Sequence, residues 1–115
     1  MDFYSARLLY VVLVDDRRPR RRNLYNESVV VFRARDFDHA LKRALALGRA
    51  AEHHYDNHRG QTVRWALVEV LNLDHVGRRV DGGEVASALR TRVASKPLAF
   101  GTHFHPEHSR PKESF

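Results

Sequence analysis

The chain has 115 residues, 43% hydrophobic and 30% charged, with a formal net charge of +6, which fits one globular domain with a modest core. It contains no cysteine, and this excludes a disulfide framework, a thiolate metal site and a cysteine nucleophile. No stretch approaches the roughly 20 apolar residues of a membrane helix, and the N-terminus lacks a secretory pattern, so a cytoplasmic protein without a membrane partner is expected.

Residues 3–14 are almost continuously apolar or aromatic and rich in β-branched side chains, and they read as a strand. Tyr4, Ala6, Leu8, Tyr10, Val12 and Val14 fall on one side, and Phe3, Ser5, Arg7, Leu9, Val11 and Leu13 on the other. Neither side is plainly polar in its second half, so the strand is expected to be central or covered on both faces. Residues 15–23 break the pattern with like charges and Pro19, and a mobile hairpin loop is expected there. Five arginines and two aspartates within residues 15–22 give a local +3, half of the chain's excess. A second strand follows at about residues 27–34, antiparallel to the first.

Asp36 opens a helix as an N-cap, its side chain placed to accept from free first-turn amides. Apolar residues recur at Phe37, Ala40, Leu41, Ala44, Leu47, Gly48, Ala51 and Tyr55, one stripe at helical spacing. Gly48 lies on the buried side, where its missing side chain predicts close approach to a neighbouring backbone, that of the sheet. Residues 57–60, Asn-His-Arg-Gly, supply the stop, and residues 61–73 alternate as a strand. There Val63, Trp65, Leu67, Leu71 and Leu73 share a side, with Glu69 intruding. Residues 74–83 are turn-like. Residues 84–93 fit helical spacing slightly better than a strand, through Val85, Ala88, Leu89 and Val93. Beyond residue 96 periodicity is lost, so a domain of residues 1–96 and a flexible tail of residues 97–115 are expected. The fold class is α+β in two layers: an antiparallel sheet of three or four strands with one long helix on one face, in the order β-β-α-β.

Three blocks of sequence together resemble a known family. Tyr4-Ser5-Ala6-Arg7-Leu8-Leu9 opens the match, and Glu52-His53-His54-Tyr55-Asp56-Asn57 with Gly60-Gln61-Thr62-Val63-Arg64-Trp65 forms its middle. Asp81-Gly82-Gly83-Glu84-Val85-Ala86-Ser87 closes it. The chain resembles, over about residues 4–89, the small and mostly bacterial family catalogued as domain of unknown function 4288. The resemblance implies a small α+β domain and brings no activity, cofactor or catalytic residue. Ala86 stands where the family often has an aromatic.

Glu52, Tyr55, Asn57, Trp65 and Glu84 are the polar and aromatic residues these blocks carry. A carboxylate at the rim of an apolar helix face, one turn from a tyrosine, can line a pocket with a tuned acid or base. The structural alternative weighs more: Glu52 caps or pairs with an arginine, Asn57 ends the helix in the left-handed conformation, and Tyr55 and Trp65 join the core. On that reading Glu52→Gln destabilises the fold. Eight histidines are present. His54 and His58 stand four apart, and His103, His105 and His108 cluster near the end, yet no third ligand is fixed for the first pair, so no metal or cofactor is expected. No phosphate-cradling glycine loop, nucleophile elbow or His-Glu-x-x-His is found.

Arg17, Arg18, Arg20, Arg21 and Arg22 can grip phosphate through charge-assisted, salt-sensitive contacts. Single-strand binders interleave aromatics with such residues, and only Tyr25 is close, so a solvated hairpin tip is preferred. The leading expectation is a small non-enzymatic accessory module that binds a protein partner or its own copy. A homodimer is favoured because Leu9, Val11 and Leu13 are too apolar to face water, and the tail's Leu98, Phe100 and Phe104 are the rival cover, which would leave a monomer. Nucleic-acid binding through the arginines is the first alternative, and acid–base chemistry or ligand binding at Glu52 and Glu84 the second.

Overall fold

A computed structural model describes residues 1–15, 18–80 and 87–114. Strand β1 (Asp2–Val14) pairs antiparallel with β2 (Arg20–Ala34) on one side and with β4 (Thr62–Gly77) on the other. It is thus the central strand, buried on both faces, which is why neither of its sides is polar. The full order is β3-β4-β1-β2-β5, all antiparallel, with β3 at His53–Asp56 and β5 at Ser87–Leu98. A three-residue strand, β6 (Lys112–Ser114), pairs parallel with β4. The sheet therefore has more strands than the three or four expected.

Helix α1 (Phe37–Ala50) begins as the sequence indicates, with Asp36 Oδ1 accepting from the His39 amide at 2.8 Å. Ala40, Ala44 and Gly48 form its buried line against the sheet. It stops five residues short of Tyr55. Ala51 and Tyr55 continue the helical period by coincidence, because residues 53–56 find a stronger set of partners in residues 62–65 and become β3. The close approach at Gly48 is to side chains rather than backbone: a Cβ there would lie 2.8 Å from Leu67 Cδ2 and 3.5 Å from Leu8 Cδ1.

The arginine run also folds differently from its composition. Only residues 15–19 connect β1 to β2, and Arg20–Arg22 already belong to the ladder, Arg22 opposite Val93 of β5. Their side chains remain exposed, so strand pairing costs them no desolvation. Residues 87–98 are strand, not helix, and Val93 is 62% exposed; residues 84–86 lie outside the described residues.

Bulges reverse the alternation expected in β4. Tyr10 faces Leu67 but Leu9 faces Glu69, and Leu8 faces Val70 but Arg7 faces Asn72. Each extra residue on β4 turns the following side chains to the other face. Leu67, Val70 and Leu73 consequently join Tyr4, Ala6, Leu8 and Tyr10 beneath the helix. Glu69 does not intrude there; it stands opposite Leu9, on the second face.

That second face carries its own core, Leu9, Val11, Leu13, Tyr25 and Ala66, packed against Leu98, Phe100 and Phe104. Residues 98–111, expected as part of a flexible tail, form this cover. Arg64 Nη1 donates to the Phe100 carbonyl at 2.7 Å and the Thr102 carbonyl at 3.1 Å. Ser109, in the turn after the short 3-10 helix Pro106–His108, donates to the Pro106 carbonyl and accepts from the Val70 amide at 2.9 Å. Leu9, Val11 and Leu13, the motive for a second copy, are only 2%, 0% and 2% exposed within one chain.

Arg49 on α1 fastens the cover from the other side by donating to the Glu107 carboxylate. That bond, first among the causes, holds the Glu107 carboxyl below its ordinary value, with its own backbone and the Arg49 and His105 charges assisting. A depressed acid contributes stability above the usual carboxylate range and loses it as pH falls through the lowered value. Acidification below about pH 4 is therefore expected to loosen the cover. Hydrogen exchange at the Val70 amide should accelerate on acidification relative to core amides, and Glu107→Gln should remove that pH dependence.

Candidate functional site

The outer edge of β4 is covered in pieces. β3 pairs with residues 62–65 and β6 with residues 72–74, which leaves a gap between them. Side chains fill the gap. The Leu67 amide donates to Glu52 Oε2 at 2.9 Å, and the Val70 amide donates to Ser109 Oγ. Glu52 reaches this position because α1 ends at Ala50 and the Glu52 amide closes on the Arg49 carbonyl at 3.1 Å. Its other oxygen lies 3.6 Å from Arg49 Nη1.

Glu52 is therefore an edge cap, and the structure refines the expected cost of replacing it. Glu52→Ala leaves the amide of fully buried Leu67 without its acceptor and should destabilise by about 1–3 kcal/mol. Glu52→Gln keeps an acceptor oxygen and loses only charge assistance, so its cost should stay below about 1 kcal/mol. Urea unfolding of the two variants against the parent measures both.

Beyond Glu52 the chain lays down an aromatic ladder. His53 and Tyr55 share one face of β3, two residues apart, and His53 is the register partner of Trp65 on β4. The His53 ring stacks on Trp65 with centroids 5.1 Å apart and planes at 25°, and on Tyr55 at 6.0 Å and 17°. All four residues of β3 are exposed, Tyr55 to 47%. Trp65 packs on the helix-side core, and its buried Nε1 has no hydrogen-bond partner. Neither aromatic is fully core, against the structural expectation.

Asn57 does not end the helix; it builds the β3–β4 turn. Its Oδ1 accepts from the Arg59 amide at 2.9 Å and the Gln61 amide at 3.0 Å, and its Nδ2 donates to Gln61 Oε1 at 3.1 Å. Gly60 completes the turn at φ 74°, where a side chain would be strained. The turn sets the register that brings His53 over Trp65.

A cavity of about 370 Å³ opens beside the ladder, lined by Glu52, His53, Trp65, Arg49, Arg64 and Phe100 among others. Of the five residues expected to form a pocket, Glu52 and Trp65 line this cavity. Tyr55 extends the ladder and Asn57 shapes the turn. Glu84 lies outside the described residues, so its pairing with Glu52 has no geometry here. Sequence reasoning did not count His53, Arg49 and Arg64 among the pocket residues, because the helical stripe it followed ran on through Tyr55 and included none of them. The signal was present: alternating His53 and Tyr55 before Asn57 and Gly60, then Trp65 after them, is a hairpin pattern.

His54 lies on a strand and His58 in the turn, so their four-residue spacing no longer describes one helix face. The His105 and His108 rings stack at 5.3 Å. Among the described residues no three His, Asp or Glu side chains gather as a metal site. Arg18, Arg20 and Arg22 line a separate groove, Arg21 Nε donates to the Ala94 carbonyl at 3.1 Å, and Arg17 is outside the described residues.

A family model described as "Domain of unknown function (DUF4288)" matches residues 3–87. No curated protein and no solved structure matches the chain.

Proposed function

The chain belongs to the DUF4288 family, and from that premise we propose that it is a small non-enzymatic interaction module that binds a protein partner at the β3–β4 edge. The observation that carries this reading is the exposed pair Tyr55 and His53 on the terminal strand β3, stacked in a ladder with half-buried Trp65 of β4. Edge strands ordinarily carry charge, proline or a cover to prevent pairing with other chains. An edge with aromatics on its surface and arginines beside it has the composition of a binding hot spot.

The occupant that fits is an extended segment of the partner. Among the described residues β3 pairs with β4 on one side only, so its outer amides and carbonyls can receive an added strand. A side chain of that segment would enter the adjoining cavity between Arg49 and Arg64. Glu52, already engaged by the Leu67 amide and Arg49, serves the scaffold in this reading and not acid–base chemistry.

Quantitative affinity capture from the source cells, comparing the parent with His53→Ser/Tyr55→Ser, tests the proposal. Both replaced side chains are exposed, so the variant's melting temperature should match the parent's. A partner depleted at least tenfold by the variant, and reproducing that loss when purified, is the expected result. Equal recovery of every protein by parent and variant would sink the proposal.

A further inference from the structure

A second groove, which shares Phe100 with the cavity beside the ladder, combines positive charge with an apolar wall. Arg20 and Arg22 stand on one face of β2, two residues and so about 7 Å apart along the strand. Arg18 joins them from the connection, and the three arginines line a cavity of about 340 Å³. Its walls include Val14 and Leu24, and no acidic side chain lines it among the described residues. Phe100 also lines it, carried in by the covering segment after β5 bulges by three residues between Val93 and Leu98. That bulge places an aromatic beside arginines about 80 positions earlier in the chain.

We propose that this groove binds a single-stranded nucleic acid, with phosphates on Arg18, Arg20 and Arg22 and a base against Phe100. Guanidinium groups spaced along a strand neutralise successive phosphates, and apolar walls strengthen their field by keeping water away. An aromatic beside the basic track supplies the sequence-tolerant stacking that single-strand binders use. In the sequence alone the nearest aromatic is Tyr25, which the fold buries in the second core; Phe100 takes that place. The groove shares Phe100 with the cavity beside the β3–β4 edge but none of its three arginines, so the arginine variant tests this site and the His53→Ser/Tyr55→Ser variant tests the edge.

The test uses the full chain and a fluorescein-labelled 12-nucleotide oligothymidine, followed by fluorescence anisotropy. Three neutralised phosphates give a slope of log affinity against log salt near −2, or roughly a 15- to 20-fold loss between 50 and 200 mM salt. Arg20→Ser/Arg22→Ser replaces exposed side chains and should fold as the parent does. It should cut the slope to about −0.7 and weaken binding at 50 mM salt at least tenfold. Phe100→Leu, measured well below its melting temperature, should keep the slope and weaken binding at least fivefold. Absence of binding at 50 mM salt, or an unchanged slope in the double variant, would overturn the proposal. So would equal displacement of the oligonucleotide by polyglutamate or by pyrophosphate, which would mark a general polyanion contact or a small-phosphate site.

Discussion

Removing residues 98–115 is expected to abolish cooperative folding, although the family match ends at residue 87 and would be left complete. The cut strips Leu98, Phe100 and Phe104 from the second core and leaves Leu9, Val11, Leu13 and Ala66 facing water. Each lost side chain is half-buried, so its contribution is about 1–2 kcal/mol, below the 1.5–3 kcal/mol of full burial. The Ser109 acceptor of the Val70 amide and both carbonyl partners of Arg64 go with them, at about 1 kcal/mol each. Together these approach the 5–15 kcal/mol that holds a small domain together. The triple variant Leu98→Ser/Phe100→Ser/Phe104→Ser should do nearly the same while keeping the chain length. Light scattering and denaturant unfolding decide the matter: the intact chain should be a monomer with one transition, and both altered forms should associate or unfold without cooperativity. A truncated chain that remains monomeric and melts like the parent would show that the cover is dispensable.

Enlarging Gly48 is the second change with a large expected effect. In an exposed helix Gly→Ala gains roughly 1 kcal/mol. Here the new Cβ would sit 2.8 Å from Leu67 Cδ2, and Leu67 is fully buried, so its side chain must shift within the packed core. Overpacking of this kind costs about 1–3 kcal/mol, which cancels or exceeds the gain. The Tyr10 hydroxyl also donates to the Gly48 carbonyl at 3.0 Å in the same buried contact, and a shifted helix strains that bond. Gly48→Ala should therefore destabilise by about 0–2 kcal/mol, and Gly48→Leu by about 3 kcal/mol or more. Leu67→Val should relieve part of the Gly48→Ala penalty, so the double variant should lose less than the sum of the singles. Strict additivity in that cycle would refute the Gly48–Leu67 contact as the cause.

Several features of this protein follow from the sequence by itself, because each depends on residues within a few positions of one another. Two apolar faces on residues 3–14 determine a central strand, and β1 is that strand. Asp36 before a helical stripe determines where α1 starts, since capping needs only the next three amides. Family membership was equally legible, in blocks of which the first lies on β1 and the middle one around the β3–β4 hairpin, while residues 81–86 of the third lie outside the described residues. Glu52 could be recognised as a partly buried carboxylate needing a partner, but the partner, the Leu67 amide, could not be named.

The remainder was decided by pairing between distant segments. Helical spacing through Tyr55 lost to hydrogen bonds that residues 53–56 could make only with residues 62–65, and this put His53 over Trp65. Period-two alternation in β4 failed at bulges whose positions depend on how β1 lies beside it. Residues 87–98 became a strand because β2 had an open edge. Residues 98–111 lack any period of their own and were ordered by an apolar face formed by Leu9, Val11 and Leu13, far upstream. Local pattern fixes which backbone conformations a segment favours; the long-range exchange of hydrogen bonds and apolar cover chose among them, and both candidate sites lie where that exchange was made.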